Sequence, residues 1–112
     1  MERVVVESPY AGDVEENVEY AILACIDCLN RGESPYASHL FFTQFLDDTN
    51  PGERKAGIEA GFAWGDVASK TVVYADNGVS DGMKAGITRA RQAGQEIEYR
   101  LIYANTPKDG IQ

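Results

Sequence analysis

Histidine, cysteine, tryptophan and proline are scarce in this 112-residue chain: one, two, one and four. Two cysteines cannot staple a framework of several disulfides, and with His39 the only histidine no metal-ligand set of the usual His/Cys spacing can be drawn. Basic residues are also in short supply. Ten Lys and Arg stand against eighteen Asp and Glu, for a net charge of −8 and a pI near 4.5. That balance excludes a general nucleic-acid or anionic-membrane surface, since both need a basic face. One small anion held by local backbone N–H groups remains compatible with it. No apolar run approaches the ~20 residues of a membrane span, and the opening MERVVV reads as too short and too charged for a signal peptide. The expected location is the cytoplasm.

The remaining composition is ordinary, with 44% hydrophobic and 25% charged residues. It predicts one α/β domain over residues 1–104 and a polar tail over 105–112, where Pro107 and Gly110 invite fraying. Cys25 and Cys28 form a C-x-x-C, but inside a strongly helical stretch. They are expected to be small apolar residues on a buried helix face.

The chain alternates extended and helical patterns. Arg3 to Val6 is a β-branched run and the expected first strand, followed by a turn at Ser8-Pro9-Tyr10-Ala11-Gly12. Asp13 and Glu16 have capping-box spacing for a helix over 13–31, with Val14, Val18, Ala21, Ile22, Cys25 and Leu29 as its apolar stripe. Glu33-Ser34-Pro35 is expected to connect into a second strand beginning at Tyr36. Phe41, Phe42, Phe45 and Leu46 then form either core, a lid over it, or a subunit interface. Asn50 and Pro51 start a helix that runs to about Val67. Gly57, Gly61 and Gly65 share one of its faces and imply close approach to a neighbour, while Ala56, Ala60, Trp64 and Val67 form a second stripe expected in the core. Thr71–Ala75 is the third strand, Ser80–Ala93 a helix with Met83, Ile87 and Ala90 inward, and Ile97–Ile102 the fourth strand.

The expected fold is therefore a three-layer α/β/α sandwich around a mainly parallel sheet of four, or at most five, strands in the order 2-1-3-4. Its topological switch point falls between strands one and three, where open α/β sheets hold ligands. Three loops converge there. They offer Ser8, Pro9 and Tyr10 from the first, His39 from the second, and Asp76, Asn77, Gly78, Ser80, Gly82 and Met83 from the third. Tyr10 can stack on a base or sugar, His39 can donate, accept or protonate near neutral pH, and Asp76 can accept from sugar hydroxyls. Ser80 with the N–H groups of Gly82 and Met83 makes an anion-receptive helix start.

Ser8-Pro9-Tyr10, Asn17, Ala21, Leu29, Gly32, Pro35 and His39-Leu40 resemble the opening of the nucleoside 2-deoxyribosyltransferase-like proteins. The stretches Phe45 to Gly61 and YADNGVSDGMKAGI look like a small bacterial and phage branch of that superfamily, so the resemblance spans Val4 to Arg100. It implies a flavodoxin-like fold, a nucleoside or nucleotide ligand, a homo-oligomer, no cofactor or metal, and chemistry at an N-glycosidic bond, in the host cytoplasm if the chain is phage-encoded. The superfamily's carboxylate lies in a pattern like S-x-G-M-x-x-E-I. Ser80, Gly82, Met83 and Ile87 match it, but Gly86 stands at the glutamate. Asp76 and Asp81 are the candidate replacements, with Asp47 and Glu59 behind them. The leading expectation is a nucleoside- or nucleotide-binding protein without glycosidic turnover, sequestration of a signalling nucleotide being one form of it. The alternatives are an active N-glycoside hydrolase or deoxyribosyltransferase with a relocated carboxylate, and an oligomeric interaction protein working through the Phe41–Phe45 surface without a small ligand.

Overall fold

Four strands form one all-parallel sheet in the order β2-β1-β3-β4: β1 (Glu2–Glu7), β2 (Glu33–Tyr36), β3 (Lys70–Tyr74) and β4 (Glu96–Arg100). The computed structural model describes residues 1–103; the tail expected over 105–112 lies outside them. Between the strands run α1 (Val14–Asn30), α2 (Ser38–Phe41), α3 (Pro51–Gly65) and α4 (Asp81–Gln92), with a short 3₁₀ turn at Phe42–Gln44. Each long helix starts at a polar cap. Asp13 accepts from the Glu16 N–H, Asn50 from those of Gly52 and Glu53, and Ser80 from that of Met83.

Alternate residues of the central strands feed two cores, one on each face of the sheet. On one face Val4, Val6, Val72 and Tyr74 pack with Tyr20, Ala24 and Cys28 of α1. On the other, Val73 packs with Met83 and Ile87 of α4. The close approach expected of the α3 glycines is present. A Cβ at Gly57 would meet Leu46 at 3.3 Å, at Gly61 Ser38 at 3.0 Å, and at Gly65 Val5 at 3.3 Å. Cys25 and Cys28 are free thiols, pushed up by burial (Cys25 to about 11) and so held protonated at neutral pH.

Three expectations are corrected. The second strand is Glu33–Tyr36 itself, and Ser38–Phe41 turns helical. Pro35 is tolerated because β2 is an edge strand. The inward stripe of α1 is Tyr20, Ala21, Ala24 and Cys28, whereas Val14, Ile22 and Leu29 of the expected stripe are exposed. The apolar residues of α1 exceed what one sheet contact can cover. Trp64 and Val67 are not core but 64% and 55% exposed, because the glycine edge of α3 takes the inward side. The phenylalanines divide: Phe42 is partly buried, while Phe41 and Phe45 are exposed and meet it and each other edge to face, with ring centroids 4.9, 5.3 and 5.8 Å apart.

Candidate functional site

The C-terminal ends of β1 and β2 are joined by side chains. Ser8, buried just past β1, lies 3.1 Å from His39 of α2, Oγ to Nε2. The Tyr10 ring leans on the His39 ring, centroids 5.6 Å apart at 50°. Asn17 of α1 donates from Nδ2 to the carbonyls of Tyr10 and Ala11 at 3.0 and 3.1 Å, pinning the loop that contains buried Pro9. Burial pushes His39 down to about 4. The protonation near neutral pH expected of it is thereby corrected: at pH 7 the imidazole is neutral, one nitrogen a donor and the other an acceptor.

The third loop sits at the end of β3. Asp76 accepts from the Tyr20 hydroxyl at 2.5 Å and from the N–H groups of Ile102 and Tyr103 at 2.8 and 3.1 Å. Burial alone would raise its carboxyl, but these hydrogen bonds together hold it below its ordinary value. Asp76 thus ties α1 to the chain beyond β4, which leaves it little capacity for sugar hydroxyls. Asn77 and Gly78 are exposed, Gly78 at φ +88° closing a turn onto the Ala75 carbonyl. Ser80 accepts from the Met83 N–H, while Met83 Sδ accepts from the Ser80 N–H, both at 3.3 Å. The Met83 side chain is core, and Gly82 is exposed in the first turn of α4. Asp81 is exposed beside Lys84. Asp47 is spent on Thr49 in the turn before α3, and Glu59 is an exposed α3 residue. Ser8, Tyr10 and His39 are therefore assembled. Among the described residues no hydrogen bond carries the third-loop residues across to them.

What does cross from β1 to α4 is a side chain absent from the expectations. Glu7, the last residue of β1, is half-buried, and its carboxylate lies against Gly86 so closely that a methyl group there would overlap it. Among the described residues no hydrogen bond or ion pair reaches that carboxylate. Loss of solvation raises it to about 8, against a smaller opposing pull from Arg89. Arg89 is already held by Asp66 at 2.9 Å, Thr71 at 3.2 Å and Gln95 at 3.3 Å. Two signals for Glu7 were legible: a carboxylate ending the run Val4-Val5-Val6, and a glycine inside an otherwise sound helix. Only the fold connects them.

A family profile matches residues 2–100, ending on the last residue of β4. The chain belongs to that family, the domain of unknown function DUF7768. No curated protein matches it. The matched span of this DUF7768 domain is the whole sheet with its helices, so Glu7, the Ser8–Tyr10–His39 assembly and Gly86 all lie within it.

Two hollows lie away from the switch point. One, of about 490 Å³, is lined by Cys25, Pro35, Tyr36, Leu40, Phe41 and Trp64 along the β2 edge. The other, of about 70 Å³, lies between Phe42, Leu46 and α3.

Proposed function

We propose that this DUF7768 domain binds a nucleoside or nucleotide at the C-terminal ends of β1 and β3. The observation that carries the reading is the Ser8–His39–Tyr10 assembly. It gives an aromatic pair, a neutral imidazole and a hydroxyl across the C-terminal ends of β1 and β2, beside the β1/β3 switch point of a parallel sheet. Such a set suits a flat, polar-edged ligand: the Tyr10 ring to stack, His39 and Ser8 to hydrogen-bond, and the first turn of α4 to favour an anionic group. The resemblance to nucleoside 2-deoxyribosyltransferase-like proteins supports the same ligand class. Titration calorimetry of the full chain against nucleosides, nucleoside monophosphates and cyclic ADP-ribose derivatives tests it. Binding of at least one is expected, weakened by about tenfold or more in Tyr10→Ala, in keeping with ~1–3 kcal/mol for a stacked base. No binding to any of them defeats the reading.

A further inference from the structure

We infer that Gly61 of α3 is a positioning residue of the site: it seats the short helix that carries His39 and so sets the meeting of His39 with Ser8. What that meeting serves rests on the nucleoside reading above. Alone, α2 has little to hold it in place. Ser38–Phe41 is a single turn, too short for intrinsic helix stability to maintain. Its N-terminal cap is Ala37, which supplies no side-chain hydrogen bond, and none of its four residues is fully buried. Thr43 Oγ1 donates to the His39 carbonyl at 2.6 Å. That bond closes the turn locally without fixing where it lies against the sheet.

The placement comes from α3. Gly61 is buried, and its backbone lies so near α2 that an added Cβ would stand 3.0 Å from Ser38 Cβ and 3.3 Å from Ser38 Oγ. Ser38 opens the turn and immediately precedes His39. Glycine inside a helix costs stability relative to alanine, so local propensity gives no reason for one at this position. The contact does, since only a hydrogen on the α-carbon leaves the turn where it is. On the far side of that turn, His39 Nε2 lies 3.1 Å from Ser8 Oγ, toward the long end of a hydrogen bond, with its ring 5.6 Å from that of Tyr10. A small displacement of α2 therefore costs the first contact and reorients the second. Gly57, one turn earlier on α3, makes the contrast. A Cβ there would meet Leu46 Cδ1 at 3.3 Å, the far end of a side chain that can rotate away, and Phe42 Cβ at an ordinary 3.7 Å.

His39 is the only histidine, so the ring-nitrogen NMR signals of the isotope-labelled full chain report on it alone. The test follows those signals at neutral pH without ligand, and in parallel measures calorimetric binding of a panel of nucleosides and nucleoside monophosphates. Gly61→Ala is expected to move the ring signals and to weaken binding by roughly five- to tenfold, the worth of one neutral hydrogen bond. Ser38→Gly combined with Gly61→Ala removes the atoms that the new methyl group meets, and should return both readouts toward the parent. Gly57→Ala should leave both near the parent. Ring signals that stay in place in Gly61→Ala, that move as far in Gly57→Ala, or that the double variant fails to restore overturn the role of Gly61. Signals that move while binding holds overturn its part in the site. Should Gly61→Ala fail to fold, Ser38→Gly alone opens the same contact from the other side: moved signals support the seat and unmoved ones overturn it. A parent that binds none of the panel defeats the nucleoside reading, and the ligand-free ring signals then still decide whether Gly61 sets His39.

Discussion

Because burial raises the Glu7 carboxyl to about 8, the folded chain keeps a proton across neutral pH that the unfolded chain, titrating near 4.5, has already lost. Between those values the native state binds more protons, so this residue's contribution to stability declines as pH rises from about 4.5 and levels off above about 8. After allowance for its partial exposure, the loss over that window is on the order of 3 kcal/mol. Glu7→Gln removes the ionisation and keeps the shape. It is expected to match the parent within about 1 kcal/mol at pH 5 and to exceed it by roughly 3 kcal/mol at pH 8.5 in urea denaturation. A difference that does not widen between the two pH values would show that the carboxyl is better solvated or paired than its setting against Gly86 implies.

Among the elements, the two edge strands are tied to each other beneath α1. Arg100 of β4 reaches Glu33 of β2 through two N–H···O bonds of 2.8 and 2.7 Å, and also holds Glu98 at 2.7 Å and the Tyr74 hydroxyl at 3.0 Å. Lys70 of β3 adds contacts to Glu98 at 3.0 Å and Glu33 at 3.3 Å. Arg100→Met would leave Glu33, itself buried, with only Lys70 as a countercharge. A cost of about 3 kcal/mol is expected, toward the low end for breaking a buried pair because Lys70 remains. Arg100→Met with Glu33→Leu should recover most of it, since removing both charges removes the orphan; denaturant midpoints of the two variants decide. The helices were legible because Asp13, Asn50 and Ser80 cap them by local chemistry that needs no tertiary partner. β2 was not, because Glu33 and Pro35 are poor strand residues that only an edge position accommodates. Nor was the inward face of α1, since Ile22 and Leu29 are as apolar as the Ala21 and Cys28 that the sheet buries, and only packing distinguishes them.

At the scale of the molecule, the same surplus of apolar side chains sets the shape of the surface. Ile22, Leu23, Ile26 and Leu29 of α1 remain 43–52% exposed, and beyond the β2 edge lie Phe41, Phe45 and Trp64, exposed by 53%, 61% and 64%. Phe41 and Trp64 line the 490 Å³ hollow together with Tyr36, Leu40 and Cys25 of α1. The strand order leaves β2 with an open edge at the same place, a feature that isolated chains usually cover or charge. The switch point was legible at the level of strand order, and Ser8, Tyr10 and His39 are assembled beside it, across the ends of β1 and β2. Glu7 and the exposed α1 part of this belt were not, because each depends on which face of an element turns inward, whereas the sequence already offers the Phe41–Phe45 patch as an interface. These exposed apolar residues on a chain this acidic are expected to be closed by a second copy, an association that the net charge of −8 opposes. Light scattering should therefore give at least twice the 12.3 kDa chain mass. Ile26→Asp and Phe41→Asp, both at exposed positions where a charge is tolerated in a monomer, should return it to one chain without loss of helical circular dichroism. A parent that scatters as a single chain at 50 mM and at 500 mM salt alike would leave the belt without this role, since screening would already have removed the repulsion that opposes pairing.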